Sequence, residues 1–210
     1  LSSPNNLYQN ELRDYGKYRL RAGVDEAGRG PLAGPLVVAA VILADEIDLV
    51  NDSKKLTARL RNRLFEEIMQ QARAVRIKVI SAQVIDKLNV LQATLYGMNE
   101  ALSALPILPD ICLIDGNRLP HECPYPATSV IQGDGRYASI AAASIVAKVV
   151  RDRIMEIVHH RYPLYNFASN KGYATQAHRD AIIRHGICPY HRRSYKPVSQ
   201  IYLDFSDISR

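Results

Sequence analysis

From Leu36 to Leu43 the chain reads Leu-Val-Val-Ala-Ala-Val-Ile-Leu without a polar residue, directly after Pro31, Gly34 and Pro35. Even when taken from Pro31 to Ala44, the stretch is too short to cross a bilayer, and it carries turn residues, so it predicts a buried strand. Ala22 to Glu26 predicts a strand before it. Val75 to Ser81 predicts a half-exposed one, with Val75, Ile77 and Val79 alternating against Arg76, Lys78 and Ile80. Asp110 to Asp115 and Ala127 to Gln132 predict two more. Between them, Asp52-Ser53 offers loop and cap chemistry ahead of a helix with Leu60, Leu64, Ile68 and Ala72 on one face. One long helix should carry Leu88, Leu91, Leu95, Met98, Leu102 and Leu105, another Ser139 to His160, and a shorter one Gln176 to His185. Strands alternating with helices predict an α/β fold, a mixed sheet with helices on its faces.

Apolar residues make up 47% of the 210, and no long polar or Gly/Ser tract interrupts them. One domain over 21–210 is expected, with a small helical C-terminal part. Residues 1–20 read as an extension, a solvated tail with room for a short helix, and lack the order of a secretory signal. The charge of +6 favours a polyanionic partner without identifying it. Three widely spaced cysteines argue against a disulfide framework and for a reducing, cytoplasmic compartment.

Four acidic positions stand out: Asp25 and Glu26, Asp115 at the end of Ile111 to Asp115, and Asp134 after Gln132-Gly133. Three of them ride at or near apolar segments, where a carboxylate is costly unless positive charge compensates it. Mg²⁺ or Mn²⁺ is the obvious compensation, and a pair of such ions is a recurring device for cutting phosphodiester bonds. Read alone, each acid also has a bland account: a solvated turn for Asp25-Glu26, an Asp-Gly turn for Asp115, a helix cap for Asp134. Adjacent strand residues point to opposite faces, so Asp25 and Glu26 converge only where the strand ends or bulges.

Gly28-Arg29-Gly30 is followed by prolines and a strand rather than a helix, which argues against a dinucleotide loop. Lys54 and Lys55 read as solvated surface, and Arg192-Arg193 beside Tyr190 and Tyr195 as a basic-aromatic cluster suited to phosphates. His185, Cys188 and His191 hint at zinc but lack a fourth ligand, so a loop is the better reading. Ser139 and Ser144 have no evident base partner and read as helix residues.

Several separated blocks carry a family resemblance: Asp25 through Pro35, Asp52-Ser53-Lys54-Lys55-Leu56, Ile114-Asp115-Gly116-Asn117, Ser139 through Arg153, Lys171-Gly172-Tyr173, and His191-Arg192-Arg193-Ser194. Together they resemble ribonuclease HII over most of the chain. The resemblance implies a ribonuclease H-like fold and a monomeric endoribonuclease acting on RNA–DNA hybrids and on ribonucleotides embedded in duplex DNA. It implies cleavage on the 5′ side of the ribonucleotide, leaving a 3′-hydroxyl and a 5′-phosphate. Asp25, Glu26, Asp115 and Asp134 would hold two divalent ions, Mn²⁺ or Mg²⁺, one generating the attacking hydroxide and one stabilising the leaving oxygen. Gly28, Arg29 and Gly30 would read the 2′-hydroxyl, and Tyr173 would pack on the sugar at the DNA side. Lys54, Lys55, Lys148, Arg192, Arg193 and Ser194 would complete the substrate contacts. One departure is Gln132, where the family commonly carries lysine. A junction resolvase of the same fold, or a binding module without catalysis, are the rival readings.

Overall fold

The computed structural model describes residues 7–44 and 57–200. They fall into two compact units, one built from 7–27, 37–44, 57–78 and 95–149, the other from 28–36, 79–94 and 150–200.

The apolar run forms strand β2, Leu36–Ile42, every residue of which is buried. It lies between β3 (Ala74–Ile80) and β1 (Arg21–Ala27), and the sheet continues through β4 (Ile111–Asp115) to β5 (Ala127–Val130) in the order β3-β2-β1-β4-β5. β1 runs antiparallel to β2 and parallel to β4, and β4 parallel to β5. This is the mixed, helix-flanked sheet expected from the sequence. Helix α2, Ala58–Gln71, buries Leu64, Phe65 and Ile68 and is capped by Thr57, whose side chain accepts from the Leu60 amide at 3.3 Å. The expected Asp52-Ser53 cap lies outside the described residues, as do Lys54 and Lys55.

Helix α5, Ala138–Arg161, begins in the first unit with a small-residue face, Ala141, Ala142 and Ala143 being fully buried. The face lets backbones approach closely: a Cβ on Gly23 of β1 would collide with the Ser139 carbonyl. Among the described residues before β1, the short helix for which the sequence left room is present, and it is partly buried rather than wholly solvated. Leu7–Tyr15 forms helix α1, with Leu7 and Glu11 buried. Glu11 pairs with Arg21 Nε at 3.0 Å through one oxygen and accepts from the Ser139 amide at 2.8 Å through the other. A buried carboxylate is thereby paired with a cation and placed at the positive end of a helix, where it is stabilised rather than penalised.

The second unit gathers its core around Leu32, Met155, Tyr165, Phe167, Ile182 and Val198. It holds the later part of α5, a 3₁₀ turn at Pro163–Tyr165, helix α6 (Phe167–Asn170) and helix α7 (Gln176–His185). The turn and α6 are too short to leave a periodic pattern in the sequence. The single long helix expected through Leu88 and Leu105 is two, α3 (Ala82–Leu88) and α4 (Val90–Ser103). Asn89 divides them: its φ of 64° leaves the helical region, and its Oδ1 accepts from the amides of Leu91 and Gln92 at 3.0 and 3.1 Å, capping α4. The expected alternation also fails at the end of β3, where Val79 is 47% exposed and Ile80 is buried against Leu36, Ile85 and Ala93.

Candidate active site

Pairing between β1 and β4 stops at Val24↔Ile114, whereas β1 continues along β2 as far as Ala27↔Val37 in unbroken register. Asp25 and Glu26 therefore lie past the last β4 pair on a strand that neither ends nor bulges at them; it is β4 that ends, at Asp115, whose charge acts on Asp25. Asp25 is buried, and its carboxyl is held well above the usual range by burial first, then by the charges of Glu26 and Asp115. Two hydrogen bonds oppose that shift, one from the Ser144 hydroxyl and one from the Glu26 amide at 2.7 Å. Ser144, read from sequence as a plain helix residue, is thus a direct partner of Asp25. The available signal was a polar residue inside the small, apolar face of α5.

Asp115 Oδ1 accepts from the Gly133 amide at 2.7 Å, which ties the end of β4 to the 3₁₀ turn Gly133–Gly135. Asp134 lies in that turn and is 3% exposed, two residues after Gln132, which caps the turn in the left-handed region at φ 55°, ψ 41°. The structure thus groups Asp25, Glu26 and Asp115 electrostatically and attaches the Asp134 turn to them through Gly133. Among the described residues no group of three or more His, Cys, Asp or Glu side chains is gathered closely enough to hold a metal ion. The donor set nevertheless fits a divalent cation: oxygen ligands, and an excess of negative charge that disfavours ionised Asp25 until positive charge arrives.

In the second unit Gly28 adopts φ +102°, and a Cβ there would collide with Arg151 Nε. Only glycine meets both demands. The Gly28 and Arg29 carbonyls are taken by Arg192, at 2.6 Å from Nη2 and 2.9 Å from Nη1. Arg192 also donates from Nε and Nη2 to the Gly34 carbonyl, at 3.2 and 3.0 Å, and from Nη1 to the Tyr195 hydroxyl at 3.1 Å. All five guanidinium N–H groups are thereby engaged, and the side chain is fully buried. This corrects the expectation of a phosphate contact through Arg192: no donor is left for a phosphate. Arg193 is exposed, while its amide donates to Asp86 Oδ2 at 2.9 Å. Ser194 donates to Asp86 Oδ1 from its amide at 2.9 Å and its hydroxyl at 2.6 Å. Lys148 is half-buried on α5.

Tyr173 is 47% exposed, and its Cε1 would lie 4.0 Å from a Cβ on Gly30, so ring and glycine loop are neighbours within this unit. The zinc reading of His185, Cys188 and His191 does not hold. His185 is exposed, whereas His191 is buried against His178 and accepts from the Cys188 amide at 2.9 Å through Nδ1.

A family model for ribonuclease HII matches residues 22–198. Ribonuclease HII 1 of Methylibium petroleiphilum is 52% identical over 181 residues, 85% of this chain and 91% of that protein. Ribonuclease HII of Aliivibrio fischeri is 51% identical over 186 residues, 88% of this chain and 89% of that protein. Among solved structures, ribonuclease H2 from Pyrococcus horikoshii superposes with a TM-score of 0.74 at 27% identity, covering 89% of this chain and 99% of that one. Because the family match takes in every candidate residue from Asp25 to Ser194, the chain belongs to the ribonuclease HII family, divalent-metal-dependent ribonuclease H enzymes that act on RNA–DNA hybrids.

Proposed function

We propose that the chain hydrolyses the RNA strand of RNA–DNA hybrids and nicks duplex DNA 5′ of embedded ribonucleotides, leaving a 3′-hydroxyl and a 5′-phosphate. The observation that carries this reading is the grouping of buried Asp25 with the charges of Glu26 and Asp115 at the end of β1. These three, with Asp134, would hold a pair of divalent cations, Mn²⁺ or Mg²⁺. When bound, such ions activate water and stabilise charge on the leaving oxygen. The chain's own part is orientation: Ser144 and the Glu26 amide fix the Asp25 carboxyl, and the Gly133 amide fixes Asp115.

Substrate selection falls to the second unit. The backbone of Gly28-Arg29-Gly30 would bond the 2′-hydroxyl, which DNA lacks, and the open part of the Tyr173 ring would take the sugar on the DNA side. Exposed Arg193, with Lys148, Ser194, Lys54 and Lys55, would contact phosphates, which position a duplex without reading its sequence. The test is cleavage of a duplex carrying one ribonucleotide, with Mg²⁺, with Mn²⁺ and with chelator. A metal-dependent nick 5′ of the ribonucleotide is expected, and binding without cleavage under every condition would leave only a nucleic-acid-binding module.

A further inference from the structure

Arg151 is 1% exposed, and after burial the strongest electrostatic influence on it is the charge of another buried arginine, Arg192. Burial, with the Arg192 charge, pushes the Arg151 guanidinium down to about 10. Its Nε donates to the Pro35 carbonyl at 3.0 Å, and its Nη2 to the carbonyls of Ala33 and Lys171 at 3.2 and 2.9 Å. Nη1 is buried with no hydrogen-bond partner among the described residues, and the guanidinium carbon lies 5.8 Å from the centroid of the Tyr173 ring. A buried cation with an unbonded N–H is costly for a side chain serving only as a loop clamp. What the position gains is a cation against the aromatic ring.

The two arginines divide one loop between them. Arg192 holds Gly28, Arg29 and Gly34, and Arg151 holds Ala33 and Pro35 and reaches across to Lys171, two residues before Tyr173. The loop is bonded to the Tyr173 segment directly as well, since the Leu32 amide donates to the Gly172 carbonyl at 2.8 Å. We propose that Arg151 and Arg192 are positioning residues for ribose recognition, fixing the glycine-loop backbone and the Tyr173 ring in one register. This rests on the reading that these two elements sense the junction between ribose and deoxyribose. Neither arginine touches the substrate. A displacement on the order of 1 Å between recognition elements is enough to cost about 10²-fold in rate, so the frame has a measurable function.

The test uses the full chain with saturating Mn²⁺ and compares kcat/KM on a duplex with one ribonucleotide against that on a continuous RNA strand in a hybrid. Arg151→Lys keeps the charge but cannot span three carbonyls, and should lower the ratio of the two values by about 10²-fold. Loss of stability alone would lower both values together and leave their ratio in place. If Arg151→Lys does not fold, Tyr195→Phe decides: it removes the 2.7 Å bond from the Tyr195 hydroxyl to the Arg29 carbonyl and an acceptor for Arg192, and should lower the ratio about fivefold. An unchanged ratio in a folded Arg151→Lys, or failing that in Tyr195→Phe, overturns the proposal. A wild-type chain that cuts the hybrid but not the single ribonucleotide overturns the underlying reading, and the proposal with it.

Discussion

His178 and His191 are buried with their Nε2 atoms 3.1 Å apart, and the hydrogen bonds on their other nitrogens determine where each proton sits. His178 Nδ1 faces the Tyr173 carbonyl at 2.8 Å and must donate to it, which leaves its Nε2 as an acceptor. His191 Nδ1 accepts from the Cys188 amide, so its Nε2 carries the hydrogen that bonds His178. Both rings are neutral in this arrangement, and a second proton on either would face a donor.

Stability should consequently fall in mild acid. Burial, and after it the His178 charge, lowers His191 from 6.5 to about 4, and burial also lowers His178. A folded pKa below the unfolded one means that the unfolded chain binds more protons between about pH 6.5 and 4. For His191 the contribution is complete above this window and is lost as pH falls through it, by up to about 1.4 kcal/mol per pH unit, and His178 acts in the same direction. Urea unfolding at pH values from 7.5 to 5 measures this directly, and a flat profile would contradict the assigned protonation.

Replacing Asp25, Glu26 or Asp115 by its amide should reduce turnover by about 10³-fold, roughly 4 kcal/mol of barrier. Without metal, Asp25→Asn should melt at or above the wild-type temperature, because a buried carboxylate is relieved of its acidic neighbours. Added Mn²⁺ should stabilise wild type and not the variant. Asp134→Asn is expected to behave alike, and near-wild-type turnover there would take Asp134 out of the metal set.

Ser144→Ala removes the hydroxyl that orients Asp25 while leaving all four acids in place. A hydrogen bond to a charged group is worth about 1.5–3 kcal/mol, so metal should bind roughly tenfold or more weakly. Titrating Mn²⁺ into the assay gives the shift, and an unchanged half-saturation would mean that the bond is dispensable.

Salt dependence should separate two adjacent arginines. Arg193→Ala should reduce the slope of log affinity against log salt by about one if it neutralises a phosphate. Arg192→Lys should leave that slope in place, since the guanidinium is buried and fully bonded to the protein. Equal slope changes in both variants would contradict this division.

Tyr173→Ala should cost far more kcat/KM on a single embedded ribonucleotide than on an all-RNA strand. Its half-exposed ring beside Gly30 suits contact with one sugar. Equal losses on the two substrates would assign Tyr173 a structural role.

What the sequence determined by itself is local. The apolar run of β2, the acids at the ends of β1 and β4 and the small-residue face of α5 are short-range patterns, and each survives in the structure nearly residue for residue. The convergence of Asp25 and Glu26 was legible only as a condition, a strand end or a bulge, because the surroundings of the pair depend on where the neighbouring strand stops pairing. Tertiary structure alone decided the fate of the charged and polar side chains that ended up buried. Arg192 reads as a surface cation beside Arg193, yet its partners are the carbonyls of Gly28, Arg29 and Gly34, more than 150 residues away. Glu11 reads as part of a polar tail, yet it meets the Ser139 amide 128 residues on. Burying a charge depends on remote groups being present to bond it, and no local pattern records them.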